Sequence, residues 1–449
     1  MSDNSFSRRH FFFGSLLAGA VPVGGFGSVR SLKQLGFKSP NQKLNIAAVG
    51  SGGKGYTDIN GCKSENIVAL VDPDDKRAER AYKLYPDAPK YKDFRRMFDK
   101  ETNNIDAVLV SCPDHMHGTV AMWAMARGKH VYCQKPLTKT VWEAGELARA
   151  AAQYGVATQM GNQGYSNEGA RQCCEMIWNG DIGDVTEVHA WTNRPKGYWA
   201  QGPDVVPKEE AVPSTLDWEA WLGGQEMRPF SSAYIPIKWR GYPDFGCGAV
   251  GDMACHILGT PNMALRLGAP VSVECVKQEG KSKYTFPEMS VLRWDFPKRG
   301  SMPPVSVYWH DGLKTQPEIQ GVPAGELIGD SDINGSIFVG SKGMVTTGCY
   351  GERTRLVPAS KMADYKLPDP MLSRSPGHYR DWIRACKGGD PACSNFSVSG
   401  PFVQWMLLGV ISMKFEGKLL WDAQKGRFTN NEAANQYLKP KFRKGWKFV

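Results

Sequence analysis

The sequence has no Cys-x-x-Cys pair, no internal repeat and no long low-complexity linker. The missing pair excludes a zinc or dithiol redox motif of that kind. No basic run interleaved with aromatics occurs in the first domain, residues 41–162, which argues against nucleic-acid binding. The apolar stretch near the N-terminus is too short and too glycine-rich to span a bilayer, so stable membrane insertion is not expected. Cysteine itself is not scarce. The eleven are odd in number, and Cys112, Cys133, Cys173, Cys174, Cys247 and Cys255 fall in apparent core or site segments, as small reduced hydrophobes do. The 449 residues allow two domains, and 41% hydrophobic content fills their cores.

Ser7-Arg8-Arg9-His10-Phe11-Phe12-Phe13, then Gly14 to Ala20, has the form of a twin-arginine export signal, with Ala18-Gly19-Ala20 as a cleavage candidate. Residues 1–40 are therefore assigned to signal and linker. The expected partner is the twin-arginine export machinery, and the expected location is the periplasm or another exported compartment. A chain that crosses already folded keeps buried thiols reduced. Setting residues 1–40 aside removes five basic groups and one acid and lowers the formal charge from +10 to +6. The Lys-rich end, 439–447, reads as a solvated tail or a subunit contact.

Ile46 to Val49 is a strand, Gly50-Ser-Gly52-Gly53-Lys-Gly55 a glycine-rich turn, and Ile67 to Val71 a second strand ending at Asp72. Gly50 permits a tight turn, Gly52 and Gly53 let backbone approach a pyrophosphate, and Gly55 lets the following helix lie close to the strand. Asp72 lies 22 positions after Gly50, where a carboxylate accepts the ribose 2′-OH and repels a 2′-phosphate. NAD is expected, and NADP is disfavoured.

Strand and helix signals alternate over 41–162: a strand over 105–111, a helix from Gly118 to Ala126, a strand at His130 to Cys133 and a helix from Val141 to Tyr154. This is an α/β fold, a Rossmann doubly wound parallel sheet with its ligand crevice at the strands' carboxyl ends. Over 163–449, strands at 185–193, 271–277, 290–296, 305–310 and 336–347 predict an α/β domain with a large, open, mostly antiparallel sheet, followed by a C-terminal helix and tail.

Gly50-x-Gly52-x-x-Gly55, Asp114-His115-x-His117, Gly128-Lys-His-Val-x-Cys-Gln-Lys135-Pro136-Leu and Gly251-Asp252-Met-Ala-Cys-His256 resemble the Gfo/Idh/MocA superfamily of NAD(P)-dependent sugar and inositol oxidoreductases. The ordered match continues through Leu419-Leu-Trp-Asp422, Asn430 to Asn435 and Arg443-Lys-Gly-Trp446, which resemble exported members. The resemblance implies that Lys135 sits beside the nicotinamide and bonds the reacting hydroxyl. It implies that His256 accepts a proton, and that Asp252, one helical turn away, orients His256 or binds a sugar hydroxyl. Asp114, His115, His117 and Gln134 are expected against the cofactor. Gln134 departs from the family, where Glu is usual, which puts cofactor placement near the nicotinamide ribose in question. Asp114, His115 and His117 also have donor types that suit zinc or manganese, but the family uses this turn against the cofactor and no metal is assigned.

Asn162, Gln163, Tyr165, Arg194, Trp239, Arg240 and His310 are candidates for substrate binding, because they lie at strand ends or in loops. Trp191, Trp199, Trp239 and Trp309 have two fates open, core packing or stacking on a sugar. Export raises a supply problem, since a free nicotinamide pool is not expected outside the cytoplasm. Tightly bound NAD regenerated within each cycle answers it. The resemblance implies a redox-neutral glycoside hydrolase: C3 is oxidised, the C2 proton is removed, the C1 substituent is eliminated, water adds and C3 is re-reduced. His115 and His117 are expected to supply spare acid–base groups. The alternatives are a sugar or inositol dehydrogenase, a sugar–sugar oxidoreductase, and a non-catalytic sugar-binding protein. A homo-oligomer formed through the open sheet is also implied.

Overall fold

The computed structural model describes residues 38, 39, 41–330 and 333–448, so the export-signal reading falls almost wholly outside the described residues. Strands β1 (Asn45–Val49), β2 (Asn66–Val71), β3 (Lys90–Tyr91), β4 (Ala107–Val110), β5 (His130–Cys133) and β6 (Thr158–Met160) form one parallel sheet in the order β3-β2-β1-β4-β5-β6. The central strands β4 and β5 are buried along their whole length, as a sheet covered on both faces requires. Helix Val141–Tyr154 runs between its sequence signals: Thr140 and Glu143 form a capping box, and Gly155 ends it in the left-handed conformation.

One boundary differs in a way that matters. The helix expected from Gly118 begins at Asp114 (Asp114–Met125), directly after Pro113 in extended N-cap geometry at φ −63°. A proline at that position sacrifices no helical N–H, and Asp114 in the first turn complements the helix dipole. Asp114, His115 and His117 are thereby fixed on a helix and point in different directions.

The second sheet has nine strands: β7 (Val185–Trp191), β8 (Ser272–Glu279), β9 (Met289–Phe296), β10 (Val305–Asp311), β11 (Gly335–Gly340), β12 (Gly343–Thr347), β13 (Arg355–Val357), β14 (Leu419–Asp422) and β15 (Arg427–Phe428). They lie in the order β13-β12-β11-β7-β10-β9-β8-β14-β15. β7 and β10 pair in parallel, and the other neighbours are antiparallel. The stretch read as a strand over 336–347 is a tight hairpin, β11 and β12. The alternation in β9 and β10 turns Leu292, Trp294 and Trp309 inward. Helix Phe396–Ser412 covers this inner face, with Trp405 edge-on to Trp294 and Phe296. Gly409 is required there, since a Cβ would lie 2.3 Å from the Trp294 ring. Among the described residues no helix is long and apolar enough to cross a membrane.

Two later segments return to the first sheet. Helix His378–Cys386 lays Trp382, Ile383 and Cys386 on Leu44, Ile46 and Leu70. The Lys-rich end is not a free tail. Trp446 packs against Phe94, with Arg95 over its ring at 4.1 Å, and Phe448 packs on Trp142. Its aromatics, spaced between the charges, find apolar partners on the same chain. The eleven cysteines are unpaired and eight are buried.

Candidate active site

A single cleft of about 1130 Å³ runs from the glycine loop, along the carboxyl ends of the parallel strands, to Lys135, His256 and Tyr350. At its head Gly50 has φ +85°, and a Cβ there would meet Cys112 N at 2.6 Å; one on Gly55 would lie 1.6 Å from Gly50 O. The backbone therefore excludes side chains at both positions. Helix Lys54–Gly61 opens into the cleft with no side-chain cap at Gly53 and no acid in its first turn. That leaves N–H groups and the positive dipole end free for a phosphate. Asp72 lines the same end and accepts bonds from the Gly52 and Asp74 N–H groups at 2.9 and 3.0 Å. Burial pushes its carboxyl up to about 6, against those two bonds. Arg77 lies beside Gly53.

Asp252 organises the other end. Lys135 Nζ reaches its Oδ1 at 2.9 Å and its carbonyl at 2.5 Å, Arg240 Nε reaches Oδ1 at 3.0 Å, and Arg194 lies 3.8 Å from Oδ2. Burial favours the neutral acid, but Lys135, Arg240 and Arg194 hold the carboxyl well below the usual range. Asp252 is therefore ionised, and its partner is Lys135 rather than His256. The expected regular helical turn is absent here, because Val250–Ala254 is π-helical before the α-turn Cys255–Ile257. His256 instead meets Tyr350 edge-on at 4.7 Å, and its Nδ1 is buried without a partner. Burial, reinforced by the charge on Lys135, holds this imidazole well below its usual value, so it is neutral and a weaker base than a free imidazole. Asp114 completes the cluster. Burial pushes it up to about 7, with Arg240 and Lys135 opposing and Asp252 assisting.

Several residues named from sequence are engaged elsewhere. His115 places Nε2 3.0 Å from the Trp221 carbonyl and packs on Trp221 and Phe245. His117 borders the cleft, but its nitrogens face the Pro136 and Cys112 carbonyls at 2.6 and 2.7 Å. Neither histidine is the spare acid–base group expected; both tie loops together, and they share no focus with Asp114 at which to hold a metal. Tyr165 packs on Phe402 and accepts a bond from Asn262, so it is core. His310 stands 3.0 Å from His189 on the outer face of the second sheet, because the alternation of β10 turns it away from Trp309 and the core. Asn162 is fully buried with its amide unpartnered, whereas Gln163, Trp239 and Arg240 line the cleft.

Gln134 has a local explanation. Its Nε2 donates to both carboxylate oxygens of buried Asp58, at 3.0 and 2.9 Å, and Asp58 also accepts from Lys54, Ser111 and Tyr379. A glutamate at 134 would set two carboxylates together.

The cleft is roofed by a segment that the sequence did not reveal as functional. Thr215 and Leu216 lie alongside the end of β2: Asp75 N donates to Thr215 O at 3.1 Å and Asp217 N to Pro73 O at 2.8 Å. Trp221, Phe230 and Ile235 to Ile237 line the cavity, backed by Trp218, Tyr234 and Phe245. The C-terminal tail pins this roof, with Arg443 donating to the Gly223 carbonyl at 2.7 Å and pairing with Glu219. The legible signal was the density of aromatics in an interval too long for an ordinary connection between β7 and β8. Lys54, Arg77, Asn167 and Tyr350 also line the cleft unannounced.

Residues 44–162 match the model of the oxidoreductase family's NAD-binding Rossmann fold, and 184–284 match that of its C-terminal alpha/beta domain. The chain belongs to the Gfo/Idh/MocA oxidoreductase family. It is 28% identical over 185 residues to an inositol 2-dehydrogenase of Serratia proteamaculans, covering 40% of this chain and 54% of that protein. It is 27% identical over 143 residues to the 2,7-anhydro-N-acetylneuraminate hydratase of Mediterraneibacter gnavus, covering 32% and 36%. The matches thus span about half of one curated relative and about a third of the other. The WlbA dehydrogenase of Bordetella pertussis, solved with NADH and UDP-GlcNAcA, is 16% identical with a TM-score of 0.59, covering 85% of this chain and 99% of that one. At that identity the likeness concerns the fold.

Proposed function

We propose that this family member is an exported enzyme that acts on a carbohydrate with tightly held NAD, and that its net reaction is redox-neutral glycoside cleavage. The observation that carries the reading is the convergence of Lys135, His256 and Asp114 at the far end of a roofed cleft headed by the glycine loop. The bare glycines, the uncapped helix N-terminus and Asp72 fit a dinucleotide, whose bound nicotinamide supplies a hydride acceptor that can later return the hydride. Lys135, fixed by Asp252, is a cationic donor to the reacting hydroxyl. Neutral His256 takes that hydroxyl's proton and gives it back when the alcohol is restored. Asp114, balanced near neutrality, suits the further proton transfers that elimination and water addition demand. Tyr350 and the roof restrict water.

The roof favours a cofactor that stays bound between turnovers, as an exported enzyme requires. Export by the twin-arginine route and pairing of copies through the half-exposed outer face of the second sheet belong to the same reading. A relative named as a hydratase, itself a redox-neutral activity, is in keeping with it. The second reading is a sugar or inositol dehydrogenase using exchangeable NAD, favoured by the inositol 2-dehydrogenase relative.

Mass spectrometry of the cofactor released from purified protein, run alongside aryl glycosides and free sugars without added NAD, separates the two. Bound NAD with glycoside cleavage, and exchange of the C2 hydrogen with solvent deuterium, is the expected result. Protein that is purified empty and reduces added NAD with a free sugar would establish the dehydrogenase instead.

A further inference from the structure

We infer that the carbohydrate taken by this site carries a carboxylate, as a hexuronic acid does; the inference rests on the carbohydrate reading above and names its substrate class. Three permanent or near-permanent cations, Lys135, Arg240 and Arg194, converge on one carboxylate, Asp252, at 2.9, 3.0 and 3.8 Å. All four side chains are largely out of water, with 12%, 18%, 21% and 10% of their surface exposed. Buried charge must be matched, and one aspartate cannot match three cations. Among the described residues Asp114, which feels the charges of Lys135 and Arg240, is pushed up to about 7 by burial and supplies only part of a negative charge at neutral pH, while Glu352 and Asp330 stand beside Tyr350 and Cys349. Among the described residues the three cations thus share one fully ionised carboxylate in direct contact, and an oxidised nicotinamide ring would add positive charge.

The geometry also suits an acid. Arg240 borders the cleft and its closest approach to Asp252 is through Nε, which leaves most of its five donors for a ligand; Arg194 does not line the cleft and adds its charge from beside Asp252. The arginines are braced against aromatic faces, Arg240 over Trp239 at 4.2 Å and Arg194 over Tyr198 at 3.1 Å, which fixes planar forks of the kind that bind carboxylates in bidentate fashion. A neutral hexose would leave the three cations sharing that one carboxylate. A substrate carboxylate would share the three cations with Asp252.

The test compares hexuronates with the matched neutral hexoses and hexose 6-phosphates, as free sugars and as aryl glycosides, on the cofactor-loaded protein, reading kcat/KM for each. The uronates should exceed their neutral counterparts by about a hundredfold, since a site built to pair a buried polar group rejects the analogue that lacks it. Arg240→Met and Arg194→Met should each lower the acid-to-neutral ratio by at least about tenfold, and Arg240→Lys should restore part of it. Neutral sugars that match or outperform the uronates would overturn the inference while leaving the carbohydrate reading intact. So would arginine variants that keep the ratio, or a preference for the 6-phosphates. Protein that binds NAD yet neither binds nor converts any carbohydrate would remove the parent reading, and this one with it.

Discussion

Charge at the Asp252 cluster predicts an asymmetry between two conservative substitutions. Lys135→Met removes one cation of three; Asp252 keeps Arg240 at 3.0 Å and Arg194 at 3.8 Å, so no charge is orphaned. The loss is that of hydrogen bonds to a charged group, about 1.5–3 kcal/mol of stability. Asp252→Asn leaves three largely buried cations around a neutral amide, a situation that costs about 3–5 kcal/mol. Activity should follow a different order. Lys135→Met removes the proposed donor to the reacting hydroxyl and should lower kcat by about 10²–10⁴, equivalent to about 3–5 kcal/mol of barrier. Paired measurement of urea unfolding and single-turnover kinetics on both variants tests this. Lys135→Met should be folded, should retain NAD and should be nearly inert; Asp252→Asn should be markedly less stable. Equal stabilities would refute the charge accounting. Near-normal turnover in Lys135→Met would remove Lys135 from the chemistry.

In the proposed cofactor site Asp72 would accept ribose hydroxyls as a carboxylate, and burial places its folded value at about 6, so NAD affinity should be full above pH 7 and fall about tenfold by pH 5. Calorimetric titration of Asp72→Asn should show weaker binding with no such slope. Arg443→Ala frees the roof from the tail at Gly223 and Glu219; with charge-assisted bonds lost, the rate of NAD release, followed by fluorescence, should rise about tenfold, and an unchanged rate would detach the tail from cofactor retention. Gln134→Glu sets a second carboxylate against Asp58, and the pair should then share a proton. Its stability should accordingly be worse at pH 8 than at pH 5, and Asp58→Asn in the same chain should restore it.

Local rules made most of the fold legible. The glycine turn, the buried runs of β4 and β5 and the capping box at Thr140 each specify structure within a few residues, so the parallel Rossmann sheet and the mostly antiparallel second sheet followed from the sequence, though their strand orders did not. The site was legible in its residues more than in their roles. His115 and His117 look like paired acid–base groups in sequence, but starting their helix at Pro113 turns them to different backbone carbonyls. Asp114, between Pro113 and His115, is the one that faces Lys135 and Arg240. Asp252 and His256 keep their expected neighbourhood but not their expected partnership, because a π-turn replaces the α-turn that the spacing implied. His310 was lost to strand parity, since one residue's step along β10 separates the inner face from the outer. The roof's signature was only its density of aromatics, which pack on one another and meet the end of β2 across the cleft. A cleft covered by a segment of the second domain, itself fastened by residues near the end of the described chain, would release a bound dinucleotide only as those elements part, which is the property that the proposed redox cycle needs.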